Sequence, residues 1–229
     1  MQRPDWAGAL GNERLTGIVG TVLLVLIGLE VVSALSLRSL MSVHLLAGLV
    51  LVGPLLVKLA STGYRFVRYY LGASSYVRRG PPALPLRILA IPLVPLTVVV
   101  VGSGVALVLV GPSDAGALVV VHNLSVLLWL PLIAVHALAY LRGLPAILTA
   151  ETHQDTPEVP GRAVRLGTTA AALLLGICGA ILLLPDATPW LSWGQSPQSI
   201  PGPFVAGLVL AAVAVVLTRP WRIVHGRGS

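Results

Sequence analysis

The stretch ALVVVHNLSVLLWLPLIAVHALAYL, residues 117–141, decides the fold of this chain. It contains no Asp, Glu, Lys or Arg, and about 20 apolar residues suffice for a helix to cross the roughly 30 Å hydrocarbon core of a bilayer. Its apolar residues follow one another without the alternation that a transmembrane β-strand requires. The stretch therefore predicts a membrane-spanning helix.

The rest of the chain has the same character. Of its 229 residues, 56% are hydrophobic and 10% are charged, whereas soluble domains carry about 25% charged residues. Backbone groups in lipid must be hydrogen-bonded within their own segment, which favours helices. We therefore predict an all-α integral membrane bundle, a single transmembrane domain over residues 1–229, with about six spans: 15–35, 41–60, 87–110, 117–141, 165–184 and 203–219.

The segments between the spans have their own composition. Residues 61–70 mix aromatic residues with arginines, so we expect the second helix to continue through them into the headgroup region. Residues 151–161 and 186–203 are polar and contain prolines, and we predict that both are loops, the second on the membrane surface. The single cysteine, Cys178, permits no internal disulfide and is expected to be a small core residue.

The positive charge of the chain indicates its orientation. The formal net charge is +7, but Walker, zinc-finger and dinucleotide motifs are missing, so we expect the basic residues to meet anionic lipid and not nucleic acid. The positive-inside rule places both termini in the cytoplasm. All arginines except Arg38 then fall on the cytoplasmic side: Arg3, Arg14, Arg65, Arg68, Arg78, Arg79, Arg87, Arg142, Arg162, Arg165, Arg219, Arg222 and Arg227.

Ionisable side chains inside a membrane are costly, which makes them functional candidates. The predicted spans contain Glu30, His44, Lys58, His122 and His136. His122 and His136 are 14 residues apart, so they share one face of the fourth span and are separated by about 21 Å along its axis. Two histidines at this distance cannot share one metal ion, and the spacing predicts two sites stacked across the membrane.

The second span repeats part of this pattern. His44 and Lys58 are also 14 residues apart, and the predicted topology makes the second and fourth spans parallel. His44 can therefore face His122 near the outer surface, and Lys58 can face His136 near the inner one. Facing histidines in a bundle can supply both axial ligands of a haem iron. Glycines beside the pattern either leave room for a flat macrocycle or serve helix packing: Gly48, Gly53, Gly102 and Gly104.

On His122-x13-His136, and on His44 with its partner position 14 residues later, the chain resembles the bacterial membrane-bound cytochrome b proteins. The resemblance covers residues 15–141, which would form the haem-binding part, with 165–219 as accessory helices. It implies one or two b-type haems, electron exchange with quinone and with a partner redox protein or subunit, and a place in the bacterial inner membrane. Whether the chain is the cytochrome b subunit of an oxidoreductase stays open.

Lys58 departs from the di-haem pattern, which would place a histidine there. Three interpretations stay open: Lys58 extends to the cytoplasmic surface and caps its helix, pairs with a haem propionate or a quinone, or ligates the inner iron as a neutral amine. His136 could also hold a five-coordinate haem alone. Arg38 on the outer side, with Arg65 and Arg68 on the inner side, could meet haem propionates or anchor the helices at the surface.

Two further functions stay open. His44, Lys58 and His136 could form the proton relay of a transporter, although the halves of the chain show no inverted repeat. The chain could also be a haem-free membrane anchor or assembly factor. Glu30 could accept a proton from quinol or serve as a cap that faces water.

Overall fold

The computed structural model describes residues 8–152, 159–193 and 202–223. Within these ranges the regular structure is helical, without a β-strand. The helices are α1 Ala9–Ala34, α2 Leu37–Tyr70, α3 Ser74–Arg79, α4 Leu84–Val110, α5 Gly116–Leu141, α6 Leu144–Thr152, α7 Arg162–Leu182, α8 Leu184–Ala187, α9 Pro189–Trp193 and α10 Gly202–Thr218.

Six helices of the described chain are long and apolar enough to cross a membrane: α1, α2, α4, α5, α7 and α10. Their bounds lie close to the six predicted spans, which confirms the predicted all-α membrane bundle. As predicted, α2 continues to Tyr70. The outward surfaces of the long helices carry exposed valine and leucine, for example Val25, Leu174 and Val216, and such surfaces suit contact with lipid.

The long helices form two packed groups. α1, α2 and α7 pack together, and α5 packs against both α4 and α10. Leu45 and Leu49 near the start of α2 share an apolar cluster with Val105 and Val108 near the end of α4, which joins the groups. The α1–α2 and α4–α5 turns therefore lie at one end of the bundle, and α2 and α5 run in the same direction.

These two ends are named for what they carry. The turn side is the end with the α1–α2 and α4–α5 turns, residues 35–36 and 111–115. The arginine side is the opposite end, where α1 begins and α2 ends, and it includes Arg14, Arg65 and Arg79. In the predicted topology the turn side would be the outer side of the membrane.

Two glycines set the crossing of α2 and α7. A Cβ atom on Gly53 would lie 2.0 Å from the carbonyl oxygen of Ala172, and one on Gly176 would lie 2.2 Å from that of Val50. Only hydrogen side chains permit such an approach of two helix backbones. Gly53 therefore serves helix packing and leaves no space for a cofactor.

The predicted loop at 151–161 is wrong for residues 151–152, which end helix α6. Glu151 is 3% exposed, and its carboxylate accepts hydrogen bonds from Arg165 at 2.8 Å and from Arg14 at 3.1 Å. This ion cluster joins α1, α6 and α7 at the arginine side. The polar composition suggested a loop because the pairing that permits burial of Glu151 involves residues distant in sequence; residues 153–158 lie outside the described ranges.

The predicted surface loop at 186–203 is wrong for residues 186–187 and 189–193, which belong to α8 and α9, and for residues 202–203, which begin α10. Trp190 is buried, and its indole N–H donates to the carbonyl oxygen of Leu107 at 3.0 Å. This contact packs α9 against the end of α4 and outweighs the loop-like composition. Residues 194–201 lie outside the description. Cys178, expected in the core, is exposed on α7, because that helix turns Ala172 and Gly176 toward the protein.

Candidate functional site

A cluster of polar side chains lies within the apolar bundle near the turn side. It contains Glu30 and Ser33 of α1, His44 of α2, Ser103 of α4 and His122 of α5, and we call it the turn-side cluster. The imidazoles of His44 and His122 lie within electrostatic range of each other. The structure therefore brings together the two histidines that the sequence pattern pairs.

His44 is held through its Nδ1 atom. Nδ1 lies 2.9 Å from Oε2 of Glu30 and 3.3 Å from Oγ of Ser33. The Ser33 side chain donates to the backbone carbonyl of Glu30 at 3.0 Å, which leaves its oxygen to face the ring. Because an ionised carboxylate can only accept hydrogen bonds, the proton between His44 and Glu30 resides on Nδ1.

His122 is held in the same way by α4. Its Nδ1 lies 3.1 Å from the carbonyl oxygen of Val100 and 3.0 Å from Oγ of Ser103. A carbonyl oxygen accepts but never donates, so Nδ1 carries the proton here too. Gly104 lies beside the ring: a Cβ atom there would come within 3.4 Å of Cε1 of His122. The absent side chain at Gly104 thus makes room for the imidazole.

The arrangement leaves Nε2 of both rings for a ligand. In a neutral imidazole with the proton on Nδ1, the lone pair lies on Nε2. Among the described residues, none forms a hydrogen bond with Nε2 of His44 or of His122. In metal-binding histidines, the ring nitrogen that does not bind the metal usually donates its N–H to a carboxylate or backbone carbonyl. This hydrogen bond fixes the ring and raises its basicity. Both rings meet this condition.

The helices that carry these histidines make few direct contacts with each other. Over their described lengths α2 and α5 are not closely packed, although His44 and His122 lie within electrostatic range of each other. Gly102 is exposed on α4, so the open space beside it belongs to the exterior of the bundle, and Gly48 faces the carboxylate of Glu30. The chemistry of the donor set, two imidazoles with Nδ1 bound to protein acceptors, is therefore what fits a haem.

The arginine-side cluster is built differently. We use this name for Thr16 and Gly20 of α1, Lys58 of α2, and His136 and Tyr140 of α5. Nζ of Lys58 donates to the carbonyl oxygen of Thr16 at 2.8 Å, and a Cβ on Gly20 would lie 3.0 Å from Nζ. The amine is thus bound to α1 inside the bundle and does not extend to the surface. It nevertheless lies within electrostatic range of His136.

His136 lacks the support that the other two histidines have. Its Nδ1 is buried and has no hydrogen-bond partner among the described residues. The ring lies beside that of Tyr140, with the centroids 5.1 Å apart. Neither the protonated nitrogen nor the ring plane is fixed by a hydrogen bond at Nδ1. The arrangement at His136 therefore differs from the supported geometry that is typical of a metal ligand.

Arg65, predicted to meet a haem propionate, forms a hydrogen bond outside both clusters. Arg65 donates to the carbonyl oxygen of Gly80 at 3.3 Å and so links the end of α2 to the residue that follows α3. Arg38 lies in the first turn of α2 at the turn side, and its side chain lies outside the description. Within the described residues, no group of three or more His, Cys, Asp or Glu side chains could hold a metal ion.

The sequence pattern identified Glu30 as a candidate but not its contact with His44, and it missed Ser33, Ser103 and the carbonyl of Val100. Ser33 follows Glu30 by three residues, so both lie on one helix face, and that spacing could have identified them as a pair. Ser103 and the carbonyl of Val100 belong to a neighbouring helix and are distant from His122 in sequence, so only the tertiary structure reveals them.

Comparisons with known proteins add no relative to this description. No family model matches the chain, and no significant match was found among the curated proteins or among the solved structures.

Proposed function

We propose that this chain is a membrane-bound b-type cytochrome that holds one haem between α2 and α5 through His44 and His122. One observation carries the proposal. Two neighbouring imidazoles on facing helices each have Nδ1 bound to a protein acceptor, which leaves Nε2 of both for iron. Two imidazoles are too few to enclose a bare ion but form a complete axial ligand set for haem.

Bound haem would supply one-electron redox chemistry, and the protein would supply ligands, orientation and a surrounding of low polarity. Glu30 and Ser33 orient His44, while the carbonyl of Val100 and the hydroxyl of Ser103 orient His122. Apolar side chains that pack near the turn side, among them Leu45 and Val105, would provide that surrounding. Quinone in the surrounding lipid and a partner redox protein are the proposed electron donor and acceptor, in the inner membrane of a bacterium.

We assign no haem to the arginine-side cluster. Lys58 would have to leave the carbonyl of Thr16 to reach iron, and His136 lacks an acceptor for Nδ1 among the described residues. The same two groups offer N–H donors inside the bundle, which suits a neutral ligand with carbonyl oxygens such as a quinone. Electrons would then pass between a quinone at this end and the haem at the other.

The test is a dithionite-reduced minus oxidised visible spectrum of the purified protein, with haem measured per chain. We expect sharp reduced α and Soret bands and one haem per chain. Two haems per chain would contradict the assignment of the arginine-side cluster but keep the cytochrome. A colourless protein, made with adequate haem supply, would overturn the cytochrome and favour a transporter or an anchor.

A further inference from the structure

The two histidines of the turn-side cluster differ in one partner. Each ring meets a serine hydroxyl, Ser33 for His44 and Ser103 for His122. The second acceptor of His122 is a backbone carbonyl at 3.1 Å, whereas that of His44 is the carboxylate of Glu30 at 2.9 Å. One ring therefore donates to a neutral group and the other to an anion.

The charge of the acceptor changes what the ring offers to a metal. A carboxylate draws the Nδ1 proton toward itself, which increases the electron density at Nε2 and strengthens the ligand. Hydrogen bonds to the ligands and the charge near a cofactor are the means by which a protein sets a reduction potential. A stronger ligand with a nearby anion stabilises the oxidised, more positive state of iron.

Glu30 itself lacks a full set of partners. Its side chain is 20% exposed, and Oε1 is buried without a hydrogen-bond partner among the described residues. A partly buried carboxylate that is incompletely hydrogen-bonded is costly unless positive charge lies nearby. A cofactor that gains one positive charge on oxidation would supply it, so the carboxylate and the oxidised cofactor would stabilise each other.

From this geometry we infer that Glu30 is a positioning residue that acts through His44 to shift the redox balance of the turn-side site toward the oxidised state. The inference rests on the proposed haem site. The two proposed ligands then have unequal roles. The contact of His44 with Glu30 sets the reduction potential, whereas His122 holds the cofactor and its partners among the described residues are neutral.

The experiment is a potentiometric titration of haem in the purified full-length protein and in Glu30→Gln, at one pH and with haem quantified per chain. Glutamine keeps the size of the side chain and one acceptor oxygen but removes the charge. We expect full haem content and about a tenfold higher ratio of reduced to oxidised protein at a given ambient potential, which corresponds to about 59 mV for one electron. Ser33→Ala and Ser103→Ala are matched controls, since each removes one neutral contact, and both should shift the ratio less.

An unchanged midpoint potential in a fully loaded Glu30→Gln protein would overturn the inference and leave the cytochrome intact. If Glu30→Gln loses its haem, Glu30→Asp decides, because it keeps the charge on a shorter side chain. Haem retained in Glu30→Asp supports a requirement for the charge, whereas equal loss in both variants shows that shape alone matters and overturns the inference. A wild-type protein without haem overturns this inference together with the proposed function.

Discussion

The turn side and the arginine side of the bundle carry the same sequence spacing but different chemistry. At each end, α2 and α5 contribute one ionisable residue apiece. On each helix these two residues are 14 positions apart. At the turn side, Nδ1 of His44 and Nδ1 of His122 both donate to acceptors of the protein. At the arginine side the amine of Lys58 is bound to the backbone of α1, and Nδ1 of His136 has no acceptor among the described residues. Matching positions on two helices therefore do not by themselves make matching sites.

The neighbouring helix makes the difference. Glu30 and Ser33 reach His44 from α1, and Val100 and Ser103 reach His122 from α4. At the arginine side, the acceptor that α1 provides for Lys58 within the described residues is the carbonyl oxygen of Thr16. The support around a ligand, more than the ligand itself, distinguishes a metal site from a polar residue in a membrane.

The greatest change should follow from loss of either histidine at the turn side. His44→Leu or His122→Leu should abolish haem binding, because each removes one of the two proposed haem ligands at the turn side. His136→Leu is the matched control and should keep one haem per chain. The measurement is haem per chain in the purified variants. Haem lost from His136→Leu and retained in His44→Leu would reverse the assignment of the two ends.

A second prediction concerns the stability that the buried ion cluster around Glu151 gives to the arginine side. Glu151→Gln leaves Arg14 and Arg165 without their buried anion and should destabilise the protein by about 3 kcal/mol or more, seen as a lower unfolding temperature in detergent. Glu13→Gln is the control. Its partner Arg79 is half exposed, so its loss should cost less than about 1 kcal/mol. Equal losses in the two variants would refute a special role for the buried cluster.

A third prediction concerns the position of α2, which both ends share. Gly53→Ala forces a methyl group into the backbone of α7 and should destabilise the fold by about 1–3 kcal/mol. Gly63→Ala lies on the same helix in open space and should be neutral or slightly stabilising, because alanine is the better helix former. Thermal unfolding of both variants provides the measurement. A stable Gly53→Ala protein would contradict the close crossing of α2 and α7.

A small effect is expected from removal of the Lys58 amine. Lys58→Met removes one hydrogen bond to Thr16, at a cost of about 1 kcal/mol, and should leave the visible spectrum and the haem content unchanged. The spectra of wild type and variant in both redox states provide the measurement. Altered bands or a lost haem in Lys58→Met would show that the amine ligates iron after all.

The fold was largely predictable because a bilayer imposes a simple rule on sequence. A long apolar run without charge must be a helix, and all six predicted spans correspond to helices of the structure. Errors fall where tertiary contacts override composition. Glu151 is polar yet buried by two arginines, and Trp190 packs on α4 through its indole N–H.

The candidate site was predictable only in part. Helical periodicity places His44, His122 and His136 on defined helix faces. Because α2 and α5 run in the same direction, His44 pairs with His122 at one depth, and Lys58 pairs with His136 at the other. Periodicity within one helix carries no information on which acceptor a neighbouring helix supplies. The groups at Nδ1 of His122, the carbonyl of Val100 and the hydroxyl of Ser103, could therefore be found only in three dimensions.

The hydrogen bonds at Nδ1 of His44 and His122 also bear on the order of assembly. Because these contacts come from the polypeptide alone, the tautomer and the plane of each ring are fixed as soon as α1 pairs with α2 and α4 pairs with α5. Capture of the proposed haem would then require no ring rotation and no proton rearrangement, so it could be a late and rapid step. The rate of assembly would then be limited by the association of the α1–α2 and α4–α5 hairpins in the membrane, and not by rearrangement of the two imidazoles.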